Sequence, residues 1–408
     1  MTPEQRAATE LPTAALPDGV ARAFDAARRS ALVELRRELH AHPELSGAEH
    51  RTAVRLERAL REIAGIEGRR VATTGLVARI RGRDPRAPVV AIRGDIDALP
   101  IGEATGLPFA SAVSGVMHAC GHDIHASWTV GAAALLRDRP AEGDVLVVLQ
   151  PAEETGEGAR AVLATDAIDG VAAIFGGHVD TRFPVGDVVA QPGAIAASTD
   201  TFTIELVGEG AHGARPHEAA DPIVAAASLV SALQTIVSRR LDPSLAAVVT
   251  VGTIHAGTAS NIIPDRATLS GTLRATTPAS RRLLVDEVTH LAGAVAAAHR
   301  VQARVAIEEG TPPVVNEAAA AGWAHEGATR VLGAGHVVPL GTTNMGGEDF
   351  AFYLERMPGC FLRIGARPSG SVRTAAHAPN FAPAEESLFV GAAVLAEAAR
   401  VASEALAR

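Results

Sequence analysis

Apolar positions recur at helical spacing from about residue 18 to residue 40, with Arg and Glu on the opposite face, and Pro43 ends that predicted helix. Ser46, followed three residues later by Glu49, reads as a capping box opening a second helix that runs to about Ala64. The rhythm then changes. Residues 71–73, 76–80 and 89–92 are short apolar or alternating runs separated by Gly, Asp and Pro, the pattern of strands. A helix over 122–136 leads into an unbroken apolar strand at 145–149, and a further short helix precedes a strand at 171–175. Strands alternating with helices predict a largely parallel sheet covered on both faces.

Around residues 193–198 the chain turns small and polar, and a new unit begins. Strands are predicted at 201–207, 246–254, 266–274 and 301–307, with helices at 222–238 and 278–299. That order, β-α-β-β-α-β, is the ferredoxin-like pattern. After Gly310 the helix and strand alternation resumes. The expected organisation is a discontinuous α/β main domain over 19–196 and 312–408, with a small α+β domain, 197–311, inserted in it.

Composition narrows the function. The chain has 408 residues, 47% hydrophobic, enough for two or three domains at ~100–200 residues each. Its 37 basic and 46 acidic residues give a net charge of −9, and aromatics are only 3%. A nucleic-acid partner, which needs a basic face and stacking rings, is not expected. The chain contains no lysine, which removes Schiff-base chemistry, pyridoxal-phosphate catalysis and a Walker-type phosphate loop. Two cysteines are too few for a disulfide scaffold. The N-terminus lacks the layout of a signal peptide, and no stretch holds the ~18–20 uninterrupted apolar residues of a membrane span. The reading is a soluble cytoplasmic protein without membrane partners, its residues 1–18 forming a loose leader.

The chemistry collects after the main-domain strands. Strand 89–92 is followed by Asp95 and Asp97, strand 145–149 by Glu153 and Glu154, and strand 171–175 by His178. Just before the helix that leads into strand 145–149, and in its first turn, stand His118, Cys120, His122 and His125. In an open parallel sheet, ligands bind outside the carboxyl ends of the strands, so these clusters converge on one crevice. Imidazole, thiol and carboxylate together suit zinc, manganese, cobalt or nickel rather than magnesium or calcium. A lone buried cysteine is usually a small hydrophobe. Cys120 differs in sitting two residues from His122 across Gly121, whereas Cys360 has neither His nor acid beside it. Adjacent carboxylates are usually solvated, but Glu153 and Glu154 follow an apolar strand and a proline, which suggests one metal ligand and one free general base. Gly208-Glu209-Gly210-Ala211-His212-Gly213 matches a dinucleotide fingerprint, yet Pro216 stands where its helix should run and no acid lies about twenty residues on. No GxSxG serine elbow occurs, and His217-Glu218 lacks the second His of a zincin helix.

Taken together, the motifs resemble the metal-dependent aminoacylase/carboxypeptidase family, in its branch of hippurate hydrolases, N-acyl-amino-acid deacylases and auxin-conjugate hydrolases. The residues that carry the likeness are Arg37 to Leu45, Gly94 to Pro100, His118 to Asp123 and Pro151 to Glu154. It continues in Ala211-His212-Gly213, Ser260 to Pro264, Gly347 to Phe350 and His377-Ala378-Pro379, in the family's order. The resemblance implies a zinc-peptidase-like catalytic domain with two divalent ions per subunit, held by Cys120, His122, Glu154, His178 and His377, with Cys120 bridging. It implies Glu153 as general base and proton shuttle, and an inserted domain that acts as lid and makes a homodimer or tetramer. His212 is then an oxyanion donor, and Asn261 and Arg274 contact the substrate, Arg274 through its carboxylate. Asp95 and Asp97 are expected to orient ligands rather than bind metal. The implied reaction is hydrolysis of N-acyl-L-amino acids. The alternatives are a metallo-dipeptidase or carboxypeptidase on the same scaffold, or a catalytically silent small-molecule-binding protein. The segment after His178 departs from the family pattern at Asp180 and Arg182, which bears on substrate preference.

Overall fold

The computed structural model of the protein describes residues 15–370 and 373–408, so most of the expected leader lies outside the described residues. The chain divides into two compact units, one of residues up to 193 with 316–341 and 352–408, the other of 194–315 with 342–351. Residues 342–351, read from the sequence as part of the main domain, therefore group with the second unit.

In the first unit the single helix expected from residue 18 is two. Asp18–Ala23 ends at extended Phe24, and α1 (Ala26–Ala41) restarts on Asp25, whose carboxylate accepts from the Arg28 amide at 2.7 Å. An Asp at the N-cap satisfies one of the orphan donors of the new first turn. The second helix, α2 (His50–Ala59), runs on through a single π turn, Leu60–Ala64. The expected capping box does not form: Ser46 donates to Asp97, and the Glu49 carboxylate accepts from the amides of Gly47 and Ala152. Glu44 takes over the cap, accepting from the amides of Arg51 and Thr52 at 3.1 and 2.8 Å.

Strands β1 (Gly68–Val71), β2 (Gly75–Ile80), β3 (Val89–Asp95), β4 (Val145–Gln150), β5 (Val171–Pro184) and β6 (Val188–Val189) join the strand Gly359–Arg367 in a seven-stranded sheet. Its order is β1-β2-β4-β3-β5, then Gly359–Arg367, then β6. The sheet is mixed. β4, β3, β5 and Gly359–Arg367 run parallel at its centre, whereas β1–β2, β2–β4 and the pairing with β6 are antiparallel. The β1–β2 hairpin turns at Ala72 and Thr73, both at positive φ, which makes that edge antiparallel. Every residue of β4 is buried, as its unbroken apolar run requires. Helix α3 (His122–Asp138) packs against Ser387–Leu406, where Gly391 leaves room for the fully buried Trp128.

The second unit holds a four-stranded antiparallel sheet of β7 (Asp200–Val207), β8 (Ala247–Ala256), β9 (Arg266–Ala275) and β10 (Gln302–Glu309) in the order β8-β9-β7-β10. With helices α4 (Pro222–Thr235) and α5 (Pro278–Ala298), this is the ferredoxin-like arrangement. Phe202, Ile204 and Leu206 alternate inward along β7 and pack with Leu229, Leu233, Leu284 and Val288 of the helices. Helix Pro222–Arg240 has the length and mean hydropathy (1.3) of a membrane span, but it turns Ala225, Ala226, Leu229 and Leu233 into this core.

Candidate metal centre

The carboxyl ends of the parallel strands do what the sequence pattern asks of them. Asp95 of β3 stands in register with Gln150 of β4, and Ile92 with Phe175 of β5, so the loops carrying Asp97, Glu153 and Glu154 emerge along one edge, beside His178 on the extension of β5. Cys120 and His122 come to the same place through Gly121, the residue before α3, at φ 93°. A Cβ there would sit 2.6 Å from Cγ2 of Val179, so only glycine fits both the conformation and the space. His377 arrives from a distant loop whose amide donates to Ala119 O at 2.8 Å.

These residues present donor atoms to one another. Cys120 Sγ lies 3.1 Å from His178 Nε2. His122 Nε2 lies 3.8 Å from Glu153 Oε2 and 3.8 Å from Glu154 Oε1, and His377 Nε2 is 3.5 Å from Glu154 Oε2. Cys120, His122 and His178 form one set with ligand atoms within 4.8 Å of one another, and Cys120, Glu154 and His377 form another. Cys120 belongs to both.

The ring tautomers suit metal ligation. His178 Nδ1 lies 2.7 Å from Val179 O, which can only accept, so its Nε2 carries the lone pair. His122 Nδ1 faces Asp97 Oδ1 at 3.1 Å and points Nε2 inward. His122 Nε2 and Glu154 Oε1 are buried without a hydrogen-bond partner among the described residues. Leaving such atoms dry and unpaired costs ~1–3 kcal/mol each, so the donor set fits a resident cation. The electrostatics agree. Burial and the Glu154 carboxylate push the Cys120 thiol up, and burial raises Glu154 itself against the pull of His122 and His377. Burial works against ionised Asp95 too, yet His122, His125 and Arg93 hold it well below the usual carboxylate range. Compressed anionic donors of this kind ionise together only around positive charge.

Buried carboxylates brace the site. Asp97 accepts from Ser46 Oγ at 2.7 Å and from the Glu154 amide at 3.0 Å, besides facing His122. Glu49 accepts from the Ala152 amide at 2.8 Å and from Thr74 Oγ1 at 2.7 Å, which steadies Ala152 at φ 51° just before the two glutamates. On the other side Asp123 takes Arg36 Nε at 2.7 Å and His40 Nδ1 at 2.9 Å, and His40 Nε2 meets Glu103 at 3.2 Å. The sequence pattern did not announce this second brace, although His40 and Asp123 lie within motifs that carry the resemblance and Arg36 borders one.

The remaining candidates have contacts of their own. His212, Asn261 and Arg274 belong to the second unit. His212 pairs with Ile262 in a two-residue ladder and its Nδ1 accepts from the Ala214 amide, Asn261 O accepts from the Gly213 amide, and Arg274 stands opposite Val248 on β9. Asp180 is buried between Arg182, at 2.8 Å, and Arg363, at 3.1 Å. Cys360 is buried and accepts from Asn316 Nδ2. At the GxGxxG stretch no helix begins; a short 3-10 turn, Pro216–Glu218, precedes α4.

A family profile described as peptidase family M20/M25/M40 matches residues 91–401. An N-acetylcysteine deacetylase of Bacillus subtilis is 40% identical over 94% of this chain and 99% of its own. An IAA-amino acid hydrolase of Arabidopsis thaliana is 37% identical over 90% of this chain and 84% of its own. Among solved structures, the B. subtilis protein YXEP, described as a dinuclear metal-binding peptidase of the M20 family, superposes with a TM-score of 0.83 at 38% identity, covering 93% of this chain and 99% of that one.

Proposed function

The chain belongs to peptidase family M20/M25/M40 and is a hydrolase, and from that premise we propose that it cleaves the amide bond of N-acyl-L-amino acids to a carboxylate and a free amino acid. The observation that carries this reading is the pair of donor triads sharing Cys120, with Glu153 at their border. Cys120, His122 and His178 would hold one divalent ion and Cys120, Glu154 and His377 a second, zinc or manganese suiting the mixed donors best. Bound there, the ions supply Lewis-acid polarisation of the amide carbonyl and acidify water.

The chain's own residues do the rest. Glu153, with its side chain 10% exposed and 3.8 Å from His122 Nε2, takes the proton from the attacking water and delivers it to the leaving amine nitrogen. Glu154, its backbone tied to Asp97, stays in place as a ligand. His212, Asn261 and Arg274 of the second unit are the proposed substrate contacts, His212 as an oxyanion donor and Arg274 as a bidentate partner for the amino-acid carboxylate. A cytoplasmic location completes the reading.

Metal-loaded protein is assayed on N-acetyl, N-benzoyl and indoleacetyl amino acids beside dipeptides. Turnover of the acyl amino acids supports the proposal, preference for dipeptides assigns a peptidase, and no turnover with both ions bound assigns a silent binding protein. Glu153→Gln is expected to lower kcat by about 10²–10⁴-fold, the usual worth of a general base, with metal content unchanged. Loss of metal together with activity would reassign Glu153 as a ligand.

A further inference from the structure

His125 is the third histidine of the Cys120 segment, and the reaction above does not use it. Its ring is fully buried, stacks on Trp128 at 4.5 Å between centroids, and meets the His178 ring edge-on at 4.6 Å. Gly94 lets the α3 backbone lie close against β3: a Cβ there would be 2.6 Å from His125 O.

We propose that His125 is a positioning residue for His178, acting through the backbone of Val179 to fix which ring nitrogen of His178 faces Cys120. The inference rests on the assignment of His178 as a metal ligand. Pairing of β5 with β3 stops at Phe175, so the backbone beyond loses its ladder partner on that side. His125 replaces it. The Val179 amide donates to His125 Nε2 at 3.0 Å, which puts the His125 proton on Nδ1, 2.7 Å from Asp95 Oδ1. Asp95 is fixed in turn by Arg93 at 2.5 Å, and Arg93 by Gln150 at 2.8 Å. At the other end the Val179 carbonyl accepts from His178 Nδ1 at 2.7 Å, leaving Nε2 toward Cys120 Sγ. Two runs of hydrogen bonds, one from Arg93 to the Val179 amide and one from the Val179 carbonyl to His178, thus meet at the Val179 backbone. Partners of this kind, one step beyond the ligands, set the tautomer and orientation of a ligating imidazole.

Two measurements test this on the full chain. Calorimetric titration of the metal-free protein with Zn²⁺ is expected to show two sites, one of them weakened about 10–100-fold in His125→Phe and largely restored in His125→Gln, whose amide both donates and accepts. Nitrogen-15 spectra of the metal-free histidine side chains are expected to show a single Nδ1–H tautomer for His178, and a mixture in the Phe variant. Should His125→Phe not fold, His125→Asn, too short to span from Asp95 to Val179, takes its place. Wild-type affinity at both sites with an unchanged His178 tautomer overturns the proposal. If the wild type takes up no Zn²⁺, the metal-centre reading fails instead, and the tautomer of His178 still decides the role of His125.

Discussion

Asp97 accepts from a serine hydroxyl, faces a histidine ring and accepts from the backbone of the glutamate beside it. Removing the carboxylate frees both the His122 tautomer and the Glu154 loop, so Asp97→Ala is expected to weaken metal binding by about 10–100-fold. Ser46→Ala, which removes only one donor, should cost far less in the same titration. Glu103 marks a different vulnerability. Burial would raise its carboxyl, but His40, Thr105 and the Ser111 amide hold it down to about 2, from an ordinary value of 4.5. A folded value below the unfolded one means a stabilisation complete above pH 4.5 and lost as the pH falls toward 2. Glu103→Gln should therefore flatten the loss of stability across that acid window, as read by urea denaturation in a buffer series. Most of the donor set was legible in the sequence because strand ends announce where a parallel sheet gathers its chemistry. His377 was reached only through the family resemblance, since a hydrogen bond to Ala119, invisible to spacing, brings it in. His125 was visible as a histidine, but nothing in its spacing said that it turns to Asp95 and Val179 instead of joining Cys120 and His178.

Helices and strands were easier to foresee than the ways they begin and end. The Ser46 and Glu49 pattern is a sound capping signal, yet both side chains are drawn off to brace the Asp97 and Ala152 loops, and Glu44 caps α2 instead. The site's demand for buried acceptors outcompeted the local rule. β5 runs to Pro184, well beyond the apolar run that predicted it, because Gly176, Gly177 and His178 keep their parallel register with Phe361, Leu362 and Arg363. Gly121 is where element and site meet. Gly121→Ala imposes positive φ on a residue with a Cβ and presses it onto Val179, so a loss of about 1–3 kcal/mol is expected in denaturation of the metal-free protein. Metal binding should fall with it, since Cys120 and His122 flank the turn.

For the molecule as a whole, the α/β class and a ferredoxin-like insert followed from the order of elements, whereas the antiparallel flanks of the large sheet did not, because hairpin turns and crossovers read alike in an apolar pattern. The second unit leaves β8 as a sheet edge, and Ile223, Val224, Ile254 and Ile262 are exposed beside or near it at 42%, 50%, 50% and 54%. An open edge with apolar neighbours is suited to pairing with a second copy of the chain. A homodimer is therefore the proposed assembly, and Ile254→Arg is expected to shift the mass seen by light scattering to the monomer; a wild type already monomeric would end that proposal. One further consequence follows from the strand Gly359–Arg367, which lies inside the large sheet between β5 and β6 although it is translated after all four strands of the insert. While the ribosome is still short of it, β5 carries a bare flank and the first unit cannot close. The insert's four strands, by contrast, are contiguous and complete once Glu309 has emerged. A nascent chain arrested after that point should already protect the insert from proteases while everything upstream is still digested. The unit begun second is thus the one whose sheet is finished first.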